Sequence, residues 1–230
     1  MTAPGLEGIP LTLRISPRAR RMRLSVCTRT RAAVLTVPRR VSQRRALAWA
    51  AGHRAWLEAR LADIPEGAPI APGASIPLFG RPRRIVWDAA RPRRILVEDD
   101  RLVVGGPLDA IEGRVLRWLK SEALALLTRE TREFAQKAGV AVARIGVGDP
   151  SSRWGSCSSS GAIRYSWRLM LAPDFVRRAT VAHEVAHLVH LDHGRKFHAL
   201  VERLLGEDPK EARLWLRREG AALHRFGQKS

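Results

Sequence analysis

The sequence predicts an α+β protein: an N-terminal antiparallel sheet with one helix, followed by a half in which a helix carrying the motif H-E-x-x-H packs on a small sheet. Three observations predict it. Short segments that alternate apolar and polar residues open the chain, the period of half-buried strands. A second group of such segments brackets a long helical pattern. Five of the chain's seven histidines fall between His183 and His198, in a stretch whose apolar residues recur at helical spacing.

In order, LTLRIS, RMRLSV and AAVLTV read as the opening strands. After Pro38, Ser42 is placed to cap a helix whose Leu47, Trp49, Ala50, Trp56, Leu57 and Leu61 recur every three or four residues through Ile64. His53 lies on the Trp49 and Trp56 side and reads as a packed, hydrogen-bonded histidine. Residues 65–82, rich in Pro and Gly, are a linker or irregular crossing and the best candidate for a boundary. RRIVWD, RRILVE and RLVVGG come next as a meander, then a helix from Leu108 to about Lys137 that Gly139 stops. ARIGVG is a strand. GAIRYSWRLML is another, with Ile163, Tyr165, Trp167 and Leu169 on one face and Arg164, Ser166 and Arg168 on the other. Pro173 ends it, and Asp174 begins the histidine-bearing helix.

At 230 residues and 45% hydrophobic content the chain suits one large or two small domains. It has no apolar run of eighteen residues, and its N-terminus lacks the basic-then-apolar order of a secretory signal, so the expected location is the cytoplasm, away from membranes. Cys27 and Cys157 form no disulfide framework; Cys157 reads as packing. The net charge of +19 is uneven, for residues 1–60 hold thirteen arginines against Glu7 and Glu58. That is a footprint for nucleic acid or nucleotide phosphates, although five lysines among 41 basic residues is also the bias of a GC-rich genome.

His183 and His187, four apart, stand one turn above each other on a helix and can grip one ion, with Glu184 beside the first to act on a bound water. The ion expected for this pattern is zinc, Zn2+, which takes a third protein ligand in catalytic sites. His190 continues the stripe but lies roughly 10 Å along the axis from His183, too far to share an ion; it reads as packed or hydrogen-bonding. His193 precedes Gly194, which permits a left-handed reversal, and is the expected third ligand. His198 flanks the cleft on the next helix, RKFHALVERLL, whose inward stripe is Phe197, Leu200, Val201 and Leu204.

Residues 151–173, SSRWGSCSSSGAIRYSWRLMLAP, followed by HEVAHLVHLDHGRKFHALV at 183–201, resemble the YgjP-like metallopeptidase family, zincin-type bacterial proteins related to SprT-like and WLM-type zinc proteases. RRMRLSV, VPRRVS, HRAWLEARL and IPLFGRPRRI extend the resemblance over nearly the whole chain. It implies His183, His187 and His193 as the metal histidines and Glu184 as the catalytic glutamate, the set that spacing also selects. The expected division is a basic, β-rich region with one helix at 1–106 and, after it, a zincin-like metal-hydrolase domain at 107–230. The resemblance also implies that RWGSCS and IRYSWR line the substrate site, with Arg153 and Ser156 as substrate-binding candidates. His198 stands where the family often has Trp, and Tyr165 where an aliphatic residue is common.

Three functions are compatible with these residues. The first is a zinc metallopeptidase acting on protein or peptide, with Glu184 as general base toward metal-activated water. Tyr165, Arg164 and Arg168 are candidates for stabilising the oxyanion, although alternation points Tyr165 away from both arginines. The second is a metal-dependent nucleoside triphosphate pyrophosphatase at the same site, an activity with which the resembled family has been connected; neither a phosphate-binding G-x-x-x-x-G-K-[ST] loop nor a carboxylate cluster for magnesium supports it. The third is a nucleic-acid-binding protein with structural zinc.

Overall fold

The computed structural model describes residues 4–27, 30–64 and 66–228; Arg29 and Lys229 of the basic count and Pro65 of the Pro/Gly stretch lie outside them. Contacts divide the chain into two units, the first running to Gly67 and the second covering Ala68–Gly227.

In the first unit, β1 (Leu11–Ser16), β2 (Arg23–Cys27) and β3 (Ala32–Pro38) form a sheet in the order β1-β3-β2. The sheet is mixed, not all-antiparallel: β2 runs antiparallel to β3, but β1 runs parallel to it. Alternation reveals a strand and its faces, not its neighbours. The centre goes to β3, the most apolar of the three, whose Ala33, Leu35 and Val37 are fully buried. The expected single helix is two, α1 (Gln43–Ala51) and α2 (Arg54–Ala62). Ser42 caps the first as expected, its Oγ accepting from the Arg45 N–H at 3.4 Å. The break falls at Gly52, a poor helix former, and at His53, which leaves helical geometry with φ −110° and ψ 20°. The His53 ring, exposed, lies 4.3 Å from that of Trp49, and its Nδ1 is 2.8 Å from the Trp49 carbonyl.

In the second unit, β4 (Ser75–Leu78), β5 (Arg81–Asp88), β6 (Ile95–Val97) and β7 (Arg101–Gly105) form a sheet in the order β4-β5-β7-β6. It is not a plain meander, because β7 inserts parallel to β5 and pushes β6 to the edge. These strands, grouped by sequence content with residues 1–106, share a core with the long helix after them. Ile76, Leu78, Ile85, Leu102 and Val104 pack in one cluster with Val115, Leu119 and Leu127 of that helix, α3 (Ile111–Ala138). The units therefore part inside the Pro/Gly stretch. Gly139, left-handed at φ 68°, ends α3 as its position predicts.

The last sheet runs β8-β10-β9, from β8 (Arg144–Gly148), β9 (Gly155–Cys157) and β10 (Ala162–Ser166). The strand expected through Leu171 stops at Ser166, where the chain turns into a 3-10 segment, Trp167–Met170. Both sides of that segment are buried, Arg168 included, so strand alternation does not describe it. Three helices complete the unit: α4 (Asp174–Ala186), α5 (Arg195–Leu205) and α6 (Lys210–Leu223). Sequence patterning assigned nothing to α6. Among the described residues no helix is long and apolar enough to cross a membrane.

Candidate metal centre

The site is built on the C-terminal end of α4. The segment leading into α4 is held by the β4–β5 turn, where the Phe79 and Gly80 N–H groups donate to the Met170 and Leu171 carbonyls at 2.8 and 3.2 Å. The body of α4 is tied to α3 by Arg177, whose guanidinium grips both carboxylate oxygens of Glu130 at 2.8–3.2 Å, and by Arg178, which holds Glu133 at 2.8 Å. Its apolar face, Val176, Val181, Ala182, Val185 and Ala186, lies in the core. These anchors fix the rotation of α4 and hence where His183, Glu184 and His187 point.

α4 ends at Ala186, with His187 as its cap, so His190 lies in the loop beyond and not on a fourth turn. The loop returns His193 to the helix end. The reversal does not use a left-handed Gly194, whose backbone is extended at φ −73° and ψ −176°; instead the Gly194 N–H donates to Asp192 Oδ1 at 2.9 Å, an Asx-type turn. One potential ligand atom from each of His183, His187 and His193 lies within 4.8 Å of the others. The three rings converge over the buried Phe197 ring, each with its centroid 4.6–4.9 Å away.

This geometry suits a metal ion. Two nitrogens bound to one tetrahedral ion at about 2.0–2.1 Å lie roughly 3.3 Å apart, and His183 Nε2 is 3.3 Å from His193 Nε2. The donors also carry the right charge. Burial, reinforced by His187 and His193, holds His183 down to about 4, and burial lowers His187 as well, so both are neutral lone-pair donors at pH 7. His187 Nδ1–H donates to the His190 carbonyl at 3.1 Å, which leaves Nε2 for the ion. His190 thus serves through its backbone. His198 is not in the group but lines the neighbouring cleft with Glu184.

Glu184 is 5% exposed. Burial raises its carboxyl to about 7 against the attraction of Arg153, the range in which a group can both take and give a proton. The side chain passes over Gly155 of RWGSCS, where a Cβ would stand 2.6 and 2.7 Å from Glu184 Cγ and Cδ. That approach explains the glycine. We expect Gly155→Ala to displace the carboxylate, retaining the metal but lowering kcat more than tenfold at a stability cost of about 1–3 kcal/mol; unchanged kcat would show that the carboxylate's position is not held there.

β9 lies at the sheet edge. Its ladder with β10 joins Trp154 to Ser166 and Ser158 to Ala162, so the hydrogen-bonding groups of Gly155 and Cys157 face away from β10, toward the open edge. Arg153 and Ser156 line a polar hollow of about 400 Å³ with Asp149 and Arg164. Ser156 pairs with Arg164, on the sheet face opposite Gly155 and Glu184. Two oxyanion candidates fall elsewhere. Tyr165 is fully buried; its hydroxyl is 2.9 Å from Thr131 Oγ1, which itself donates to the Leu127 carbonyl. Arg168 is fully buried and ion-paired with Asp149 at 3.1 Å. Cys157, partly buried, packs against the core, and burial and Glu184 raise its thiol.

His183 and Glu184 also border a cleft of about 290 Å³ whose far wall is α6. Ala212, Arg213 and Leu216 there were missed from sequence, although Pro209 before Ala212, Trp215, Leu216 and Leu223 forms a helix start with an apolar stripe. Behind it, His224 is 7% exposed, with its ring 5.3 Å from that of Trp154. Burial and the Arg168 charge hold His224 down to about 4, against Asp149. The fold thus keeps this ring neutral. Between pH about 4 and 6.5 the unfolded chain binds a proton that the folded chain does not, and stability is lost as pH falls through that window. We expect metal-free His224→Gln to lose less stability than the parent, by up to about 3 kcal/mol, when urea unfolding is compared at pH 7 and pH 4.5, over and above the opposite contribution of Glu184; an unaltered profile in the variant would assign the acid sensitivity to other groups, His183 first.

The family model described as YgjP-like, metallopeptidase domain, matches residues 20–219. No curated protein and no solved structure matches the chain.

Proposed function

We propose that this chain, which belongs to the YgjP-like metallopeptidase family, is a zinc-dependent peptidase that cuts extended polypeptide bound along β9. The observation that carries the reading is the convergence of His183, His187 and His193, their ligand atoms within 4.8 Å of one another and one pair at 3.3 Å, beside a buried, proton-competent Glu184. Three imidazoles leave a fourth position for water, whereas a structural zinc has a closed shell of four. Zinc, when bound, lowers the pKa of its water and polarises the scissile carbonyl. Glu184 takes the water proton and delivers it to the departing amine. The outward groups of Gly155 and Cys157 hold the substrate backbone as an added strand. Arg153 and Ser156 contact its flanks.

The apolar cleft and all-nitrogen donor set favour an amide substrate over a nucleoside triphosphate, whose hydrolysis usually enlists oxygen-ligated magnesium. The test is hydrolysis of an unstructured protein by zinc-loaded chain, with metal content measured in parallel. Cleavage abolished by chelation, with about one zinc per chain lost in His193→Ala, is expected. Pyrophosphate release from nucleotides without peptide cleavage would replace this reading with the pyrophosphatase one.

The first unit supports a second binding role, for nucleic acid. No acidic residue occurs between Glu7 and Glu58; these two pair with Arg54, and Asp63 pairs with Arg60. Arg14, Arg18, Arg20, Arg21 and Arg23 are exposed, and the register sets Arg14 and Arg23 on either side of Thr36. We expect single-stranded DNA to bind with an affinity that falls steeply with salt. Arg14→Ala with Arg23→Ala should weaken it at least fivefold, while Glu184→Gln leaves it unchanged. Salt-independent binding, or none, removes this role.

A further inference from the structure

The cleft beside Glu184 extends beyond what a water and a scissile carbonyl occupy. Its floor and walls come from three helices: Ala179, Thr180, His183 and Glu184 on α4; Phe197, His198 and Val201 on α5; and Ala212, Arg213 and Leu216 on α6 with Pro209 before it. Trp154 and Gly155 close the side toward β9. The space exists because Ala179 and Ala212 are small where the helices face one another; both are buried, at 7% and 3% exposure. Its volume of about 290 Å³ is at or just below the range of cavities that take a whole small molecule, and suits one large side chain.

We infer that this cleft is the specificity pocket of the enzyme and that it takes a large apolar side chain, aromatic or leucine-like, from the substrate residue next to the scissile bond. The inference rests on the peptidase reading for its substrate and on three features for its chemistry. His183 and Glu184 are part of the wall, so the occupant sits beside the reacting centre. Trp154, Phe197, Val201 and Leu216 make the remaining surface largely apolar, and a charged side chain there would lose its hydration where the wall's one carboxylate, Glu184, is committed to the reaction. Arg213, exposed on the α6 wall and 3.9 Å from Asp208, adds a positive charge that opposes lysine or arginine. A strand laid along β9 reaches the pocket at every second position only, so one residue of the substrate is read strongly and its neighbours weakly.

The experiment uses zinc-loaded full-length protein and hexapeptides that differ at one central position: Gly, Ala, Leu, Phe, Asp or Lys. Phe and Leu should exceed Gly, Asp and Lys in kcat/KM by tenfold or more, the scale of a filled apolar pocket. Ala212→Leu, which fills the space, should lower kcat/KM for the Phe peptide at least tenfold and leave the Ala peptide within threefold, with zinc content unchanged. Equal losses for all peptides, or no change in preference, would overturn the assignment. A binding measurement separates this outcome from failure of the peptidase reading. By calorimetry on Glu184→Gln protein, the Phe peptide should bind at least tenfold tighter than the Gly peptide, and Ala212→Leu in that background should erase the difference. Such selectivity without cleavage by the parent leaves the pocket standing and removes the peptidase reading; equal affinities remove the pocket.

Discussion

Glu184→Gln should lower peptide hydrolysis by about 10²–10⁴-fold, the usual contribution of a general base, while leaving the metal content unchanged. The substitution keeps the size of the side chain over Gly155 and removes only its capacity to accept and return a proton. The three imidazoles are untouched, because they meet one another and Phe197, not the carboxylate. A second effect has the opposite sign. Burial raises Glu184 to about 7, so in metal-free protein the folded state resists its ionisation. A group raised in this way stabilises the fold least at high pH, and stability is lost as pH climbs from about 4.5 through 7. Neutral Gln does not ionise, and metal-free Glu184→Gln should be more stable than the parent at pH 8 by up to about 3 kcal/mol. A slower yet more stable variant is the signature of a carboxylate held in place for chemistry at the fold's expense. Loss of zinc in this variant, or a rate within threefold of the parent, would remove Glu184 from the proton-transfer role.

The histidine cluster was legible in the sequence because its logic is local. A spacing of four places two histidines on one helix face, and a short loop returns the third, whichever turn chemistry the loop uses. Here the expected left-handed Gly194 is replaced by an Asp192 side-chain turn, and His193 arrives all the same. The long helix and its glycine stop were legible for the same reason.

What was hidden depends on long-range pairing. Alternation announced the strands but could not say that β3 would separate β1 from β2, or that β7 would enter between β5 and β6. The Pro/Gly stretch signalled the boundary locally, but no local signal states that the strands after it bury their apolar faces against α3. Arg168 looked like a cleft residue only while the strand was assumed to continue; the 3-10 turn after Ser166 buries both sides of the chain there. Tyr165 keeps its place on β10 but is buried in the core, its hydroxyl beside Thr131 of α3. Glu130 and Arg177 lie 47 residues apart and appear in sequence as ordinary helix-surface charges.

Glu130→Ala is the substitution outside the metal centre with the largest expected cost, about 3–5 kcal/mol, because it strands a buried cation. Glu130 and Arg177 are each 4% exposed, and Glu130 receives three of the hydrogen bonds that Arg177 makes. The remaining partner, Asp174 at 2.7 Å, has a side chain 66% exposed, so its charge is shared with water and cannot replace a buried carboxylate. The loss should appear as a lower urea midpoint with an unchanged slope. It should reach the site as well, since α4 carries His183, Glu184 and His187 and relies on this pair for its placement against α3. Zinc affinity should therefore fall at least tenfold in a variant that still folds. Replacing both partners, Glu130→Leu with Arg177→Met, removes the stranded charge and should restore most of the stability. A double variant no more stable than Glu130→Ala would mean that the pair's geometry, and not relief of an unpaired charge, governs the packing of α4.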